Sequence, residues 1–213
     1  MQVETLLKTV LGNSTKRDRQ IQVGPSEIGG CKRRVWHRLN ETPVTNEDTL
    51  KLASWMGTAI HAAIEADFEK RDPFESRWLR EIEVEHNGMM GHVDCYDIDE
   101  REVIDWKTTT KKNMSKFPST QQRTQVHLYG YLMKANGFDV KDVTLVAIAR
   151  DGNERDIKIH TEPYNENYAT SGLQWLADIR EMATAPAPSE NHRFCRDYCP
   201  FYDTTGRIGC TGV

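Results

Sequence analysis

No stretch of about eighteen apolar residues occurs in this chain, so the sequence carries no candidate membrane-spanning helix. The mean hydropathy of −0.68 agrees. A surplus of positive charge is also lacking: 28 Lys and Arg stand against 32 Asp and Glu, for a formal net charge of −4. Dedicated nucleic-acid binders are usually basic, which counts against a high-affinity DNA coat. It does not count against an enzyme whose acids surround metal ions. No GxxxxGK[ST] phosphate loop is present, so no ATPase or helicase activity is expected. No internal repeat is visible. The opening MQVETLLKTVLGNSTKRDRQ lacks a signal-peptide pattern, because its apolar stretch is short, interrupted by Lys8 and followed by charge. A cytoplasmic location is expected. The 213 residues read as one domain, 1–213, with no internal break.

What is present is an alternation of helical and strand patterns. Residues 1–20 suggest a short helix and a charged link. Pro25-Ser26-Glu27 is expected to start a helix carrying Cys31 and the basic triplet Lys32-Arg33-Arg34, with a polar loop at 40–48 after it. GTAIHAAIEADFE (57–69) reads as a helix with Ile60, Ile64 and Phe68 as an apolar ridge and His61 and Glu65 on a neighbouring face. Strands follow at about 79–86, 90–97 and 102–108. STQQRTQVHLYGYLMKANG (119–137) is a second helix, with Ser119 or Thr120 as N-cap and Gly137 as C-cap. Gln121, Gln125 and Tyr129 share one of its stripes. DVTLVAIAR (142–150) is a continuous apolar run suited to a buried strand. Residues 155–160 suit another strand, and 165–182 an amphipathic helix that the Ala-Pro repeat at 185–188 ends.

The densest chemistry lies in GHVDCYDIDEREVIDWKTT. Asp94 and Asp105 stand eleven positions apart, on two apolar runs joined by the polar turn 97–101. Alternation puts Asp105 and Lys107 on one strand face, and Asp94 can join them from the neighbouring strand, with Val93 and Cys95 turned away. Two adjacent carboxylates repel and favour a divalent cation between them. A lysine beside them can polarise water or offset developing charge, which is equipment for metal-assisted phosphodiester hydrolysis. Lys111, Lys112 and Lys116 follow, and these or the 32–34 triplet can contact phosphates.

Five cysteines form a second pattern: Cys31, Cys95, Cys195, Cys199 and Cys210. In a cytosolic protein, three clustered thiols and a distant one suggest a four-thiolate metal site rather than disulfides. Zinc and an iron–sulfur cluster both accept four cysteines. His192 is a substitute ligand. Cys95 follows Asp94 on its strand and is expected in the core.

In order along the chain, a helix with His61, the GxxD strand Gly91–Asp94, Asp105-Trp106-Lys107 and the QxxxY stretch Gln125–Tyr129 resemble the RecB-like branch of the PD-(D/E)XK nucleases. The resemblance is closest to the small CRISPR-associated exonucleases and their phage-encoded relatives, and it runs from about 26 to 210. It implies a restriction-endonuclease-like α/β core, a mixed central sheet flanked by helices. It also implies an iron–sulfur staple joining the N- and C-terminal segments, in a cysteine subregion formed by 26–40 and 190–213. The implied metal set is Asp94, Asp105, His61 and the Trp106 carbonyl, holding Mg²⁺ or Mn²⁺, with Glu65 as an outer partner of His61. Lys107 would activate water or offset phosphate charge, with Gln125 and Tyr129 positioning. Cys31, Cys195, Cys199 and Cys210 would hold one [4Fe–4S] cluster, with zinc as the alternative. Three and ten residues separate the last three cysteines, wider gaps than the family's pattern, so Cys210 is where the chain departs furthest from it. The implied activity is exonucleolytic cleavage of DNA from free ends, 5′ to 3′ on single strands, in a bacterial or phage-infected cell. Recombination or CRISPR-adaptation proteins are the implied partners. A silent DNA-binding adaptor and a structure-specific endonuclease are the alternatives.

Overall fold

In a computed structural model of the chain, the described residues are 3, 23–47, 52–188 and 194–212. The expected helix within 1–20 and the substitute ligand His192 lie outside them. The chain divides into two compact units. One combines Gly24–Ile28 with Met56–Leu173; the other includes Gly29–Trp55 and Gln174–Val213.

The first unit is built on a five-stranded sheet in the order β1 (Trp78–His86), β2 (Met89–Asp97), β3 (Glu102–Thr109), β4 (Asp142–Ala149), β5 (Ile157–Pro163). β1, β2 and β3 form an antiparallel meander, β3 and β4 run parallel, and β5 returns antiparallel to β4. The fold is therefore α/β with a mixed sheet flanked by helices, as expected. The β2–β3 turn is organised by Asp97, whose carboxylate accepts the N–H groups of Asp99 and Glu100 and pairs with Arg77 at 2.8 Å. β4 is the apolar run DVTLVAIA, almost wholly buried because it lies inside the sheet.

The helix between β3 and β4, here α3 (Thr120–Ala135), supplies the parallel crossover. Ser119 caps it in a full capping box with Gln122, and Gly137 follows at φ 90°. Leu128, Leu132 and Met133 from this helix are fully buried, as are Val93, Val103 and Leu145 of the sheet. Helix α2 (Leu52–Arg71) lies over β3: Phe68 meets Trp106 and Trp78, with ring centroids 6.0 and 5.2 Å apart.

Two local expectations are corrected. Pro25-Ser26-Glu27 is only one 3-10 turn, and the helix bearing the basic triplet is separate, α1 (Lys32–Leu39) with Cys31 as its N-cap. The break falls at Gly29, whose φ of 78° is left-handed and ends the turn. β5 begins at Ile157, because Asn153 caps a 3-10 turn over Glu154–Asp156.

β5 is tied to α3 through Glu162. It receives Arg123 Nε at 2.8 Å, and Arg123 Nη2 on its other oxygen. His127 Nε2 lies 3.3 Å away, and His127 Nδ1 accepts the Asn165 N–H at 3.2 Å, which puts the ring proton on Nε2. The Arg123 hydrogen bond holds the Glu162 carboxyl down to about 2 from its ordinary 4.5. A lowered folded-state pKa adds stability that is complete above 4.5 and lost as pH falls toward 2. Acid titration of stability should therefore show a loss over that interval that Glu162→Gln lacks, measured by urea unfolding at successive pH values.

Candidate active site

The β2–β3 ladder pairs Asp97↔Glu102, Tyr96↔Val103 and Cys95↔Ile104, then stops. The next rung would be Asp94 opposite Asp105. Instead the Asp94 carboxylate accepts the Trp106 main-chain N–H at 2.7 Å. A side chain thus replaces a ladder partner, the strands part, and the two acids are left at the fork. On the other flank β3 stays in register with β4, from Glu102↔Asp142 to Thr109↔Ala149, which fixes where Asp105 and Lys107 lie.

Asp105 is 1% exposed. Burial pushes its carboxyl above the ordinary value, and Lys107 acts against that push. Lys107 Nζ lies 2.8 Å from Oδ1 and 2.6 Å from Oδ2. Only the first contact has hydrogen-bond geometry, so Oδ2 is a buried oxygen without a hydrogen-bond partner. Gln125 Nε2 donates to the Tyr129 hydroxyl at 3.0 Å and reaches Asp105 Oδ1 at 3.4 Å. Burial, then the charges of Asp105, Asp94 and Glu81, raise the Tyr129 pKa, so the phenol stays protonated as a donor.

His61 approaches Asp94 from α2, with Nδ1 3.5 Å from Oδ1. Its pKa is raised by the hydrogen bond to Asp94, against desolvation. Glu65 is exposed, and the partner that the structure gives His61 is Asp94. The Trp106 main-chain N–H is engaged by the Asp94 carboxylate. The structure thus brings Asp94, Asp105, Lys107, His61, Gln125 and Tyr129 into one connected group.

Among the described residues no three His, Cys, Asp or Glu side chains stand together as a ready metal site. The donor set still suits a divalent ion: the two carboxylates of Asp94 and Asp105 and the imidazole of His61. An open cavity of about 720 Å³, lined by residues including Arg123, Lys134, Tyr164 and Tyr168, involves none of these acids.

In the second unit, Cys31, Cys195, Cys199 and Cys210 lie near enough that the other three raise the Cys195 pKa, after burial as the first cause. Gly212 N–H donates to Cys210 Sγ at 3.2 Å, and Arg33 Nη1 lies 3.8 Å from it. Cys199 is the C-cap of the single helical turn Cys195–Tyr198. The N-terminal segment is hydrogen-bonded to this region: Thr45 and Asn46 N–H both donate to Pro200 O at 3.0 Å, and Asn46 Nδ2 donates to the carbonyls of Arg196 and Cys199. Cys95 is buried in β2, its thiol pushed up to about 12 by desolvation and by Asp97 and Asp94.

An α/β sheet split at two acids, with a lysine two residues beyond one of them, is the geometry on which the comparisons with known proteins bear. Residues 68–204 match the PD-(D/E)XK nuclease superfamily, and the chain belongs to that superfamily. Comparison with curated protein sequences finds no match. Among solved structures the chain is similar in fold to SSO0001, with TM-score 0.61, 19% identity and 94% of each chain covered. It is also similar to the alkaline exonuclease LHK-Exo of Laribacter hongkongensis, with TM-score 0.51 and 11% identity over 80% of this chain and 90% of that one. A candidate exonuclease from Eubacterium rectale gives TM-score 0.50 and 13% identity, over 86% and 91%.

Gly91 has a packing reason in this site. A Cβ there would lie 3.0 Å from Tyr129 Cε1 and 3.2 Å from both Leu132 Cδ1 and Pro25 Cγ. Gly91→Ala should cost about 1–3 kcal/mol by overpacking and displace Tyr129. Denaturant unfolding and the fluorescence of Tyr and Trp check both effects; an unchanged midpoint would show that the contact relaxes freely.

Proposed function

We propose that this chain is a divalent-metal-dependent deoxyribonuclease that hydrolyses phosphodiester bonds from DNA ends, 5′ to 3′ on single strands. The observation that carries the reading is the fork at Asp94 and Asp105, with the Lys107 ammonium on the buried acid. Asp94, Asp105 and His61 would hold Mg²⁺ or Mn²⁺, with the Trp106 carbonyl as a further ligand; oxygen donors suit Mg²⁺, and the imidazole makes Mn²⁺ competitive. When bound, the ion supplies Lewis acidity toward the phosphate and acidifies water. Lys107 offsets charge as water adds to phosphorus and the bond to the leaving oxygen breaks. Tyr129, kept as a neutral donor, and Gln125, which spans Tyr129 and Asp105, orient the groups around the acid.

The end preference draws on the RecB-like and CRISPR-associated resemblance and on a single site without a recognisable sequence-reading element. DNA is the partner in this reading, alongside recombination or CRISPR-adaptation proteins, and the cytoplasm the place of action. Among the described residues no helix is long and apolar enough to cross a membrane. The two compact units serve one nuclease domain.

Lys107→Ala should cut turnover by about 10²-fold or more, as for loss of a preorganised electrostatic group, while Mn²⁺ still binds. Asp105→Ala should lose binding and cleavage together. End-labelled linear, circular and single-stranded DNA with Mg²⁺ or Mn²⁺ supplies the assay. Linear DNA should shorten progressively while closed circles persist. Discrete fragments from circles would make the enzyme an endonuclease, and no cleavage at all would make it a binding adaptor.

Cys31, Cys195, Cys199 and Cys210 are proposed to hold one [4Fe–4S] cluster. The effect of Cys31 and Cys210 on both Cys195 and Cys199, and the N–H donor on Cys210, support four sulfurs grouped to share a cation, and zinc would satisfy the same donors. The cluster would staple the segment around Cys31 to the C-terminal one. Anaerobically purified protein should be brown, with about four irons per chain as this cluster type requires. Cys195→Ala should bleach it, and Cys95→Ala should not. A colourless protein holding one zinc would replace the cluster while leaving the nuclease reading intact.

A further inference from the structure

β1 pairs with β2 in one register from Trp78↔Asp97 to His86↔Met89, with a single rung missing. Arg80↔Cys95 and Ile82↔Val93 are both paired, so the missing rung is Glu81 opposite Asp94. Glu81 has φ 44°, in the left-handed region that a side chain other than Gly rarely enters inside a strand. Two carboxylates directly opposite each other on antiparallel strands repel. Strand β1 therefore combines a disfavoured backbone with an unfavourable charge pair at one position, beside the point where β2 parts from β3. Both neighbours of β2 release it at Asp94. Asp105 Oδ2 is buried against the Lys107 ammonium at 2.6 Å, so this fork already gathers positive charge to its acids. The Glu81 charge also acts on the Tyr129 hydroxyl together with those of Asp105 and Asp94, so it belongs to the same electrostatic site.

We infer that Glu81 is a further positioning residue of the metal site, its carboxylate standing across the open β1–β2 rung from Asp94 and adding a third negative charge that holds the divalent ion. The inference rests on the metal-dependent reading above. Glu81 is exposed, so it acts from the solvent side of the fork. That suits Mg²⁺, which keeps several waters and is held partly through them. The left-handed backbone at Glu81 takes the residue out of the ladder while leaving the rungs on either side intact.

Mn²⁺ titration calorimetry on the full chain tests this, with melting temperature measured on the same metal-free samples. Glu81→Gln should weaken Mn²⁺ by roughly tenfold or more, as for partners outside the direct ligands, while the metal-free variant still unfolds cooperatively. Glu81→Asp should retain most of the affinity. Parent-like Mn²⁺ binding by Glu81→Gln would overturn the inference, as would equal weakening by Glu81→Gln and Glu81→Asp, which would point to the backbone. Asp105→Asn separates this from failure of the metal reading: if it too binds Mn²⁺ like the parent, the metal site itself is misplaced.

Discussion

A carboxylate in the middle of a sheet, 1% exposed, is the constraint around which the rest of the structure is arranged. Burying an ion costs several kcal/mol unless it is paired and hydrogen-bonded. Asp105 meets that cost locally, through Lys107 two residues on and Gln125 from the crossover helix. The lysine can reach it because alternate residues of a strand share a face. The glutamine can reach it because the β3–α3–β4 crossover lays that helix back on the sheet, where Leu128, Leu132 and Met133 bury its other contacts. Removing the lysine would leave the acid uncompensated, which in other proteins costs about 3–5 kcal/mol.

The second device is the replacement of a ladder hydrogen bond by the Asp94 side chain. Backbone N–H groups in a sheet must find partners. The Asp94 carboxylate satisfies that of Trp106 and so lets β2 and β3 separate without leaving an orphan. The separation is what leaves two acids at a fork rather than in a closed ladder. The same carboxylate meets His61, so a helix on the Trp106 side of the sheet is linked to the acid that opens the strands. In the other unit the same economy of partners appears around sulfur: Gly212 N–H serves Cys210, while Pro200 O receives two N–H groups from the Thr45–Asn46 segment.

Much of this was legible in the sequence. The polar turn 97–101 predicted the β2–β3 hairpin, the apolar run at 142–149 a buried strand, and Ser119 the helix start; each is a local pattern with a local cause. Asp94, Asp105 and Lys107 could be placed together because a hairpin and a two-residue period suffice to do so. The helix expected across 25–39 was not legible as two pieces, since the break depends on a left-handed Gly29 within a run that otherwise reads as helix. The start of β5 was missed because Asn153 forms a cap with the two residues after Arg155's neighbour Glu154, a turn that competes with the alternation. Glu81 was invisible: in REIEVEH it alternates as a solvent-facing acid should, and nothing in that string signals φ 44° or a missing rung.

By itself the sequence determined the main elements and the pairing of acid and lysine on β3, because periodicity, turn chemistry and residue type are local properties. The tertiary structure alone decided that β2 and β3 part at Asp94, that His61 meets Asp94 rather than Glu65, and that Gln125 bridges Tyr129 and Asp105. Each of those depends on register and on which helix lies over which strand. These are fixed only when the buried face of the whole sheet is packed.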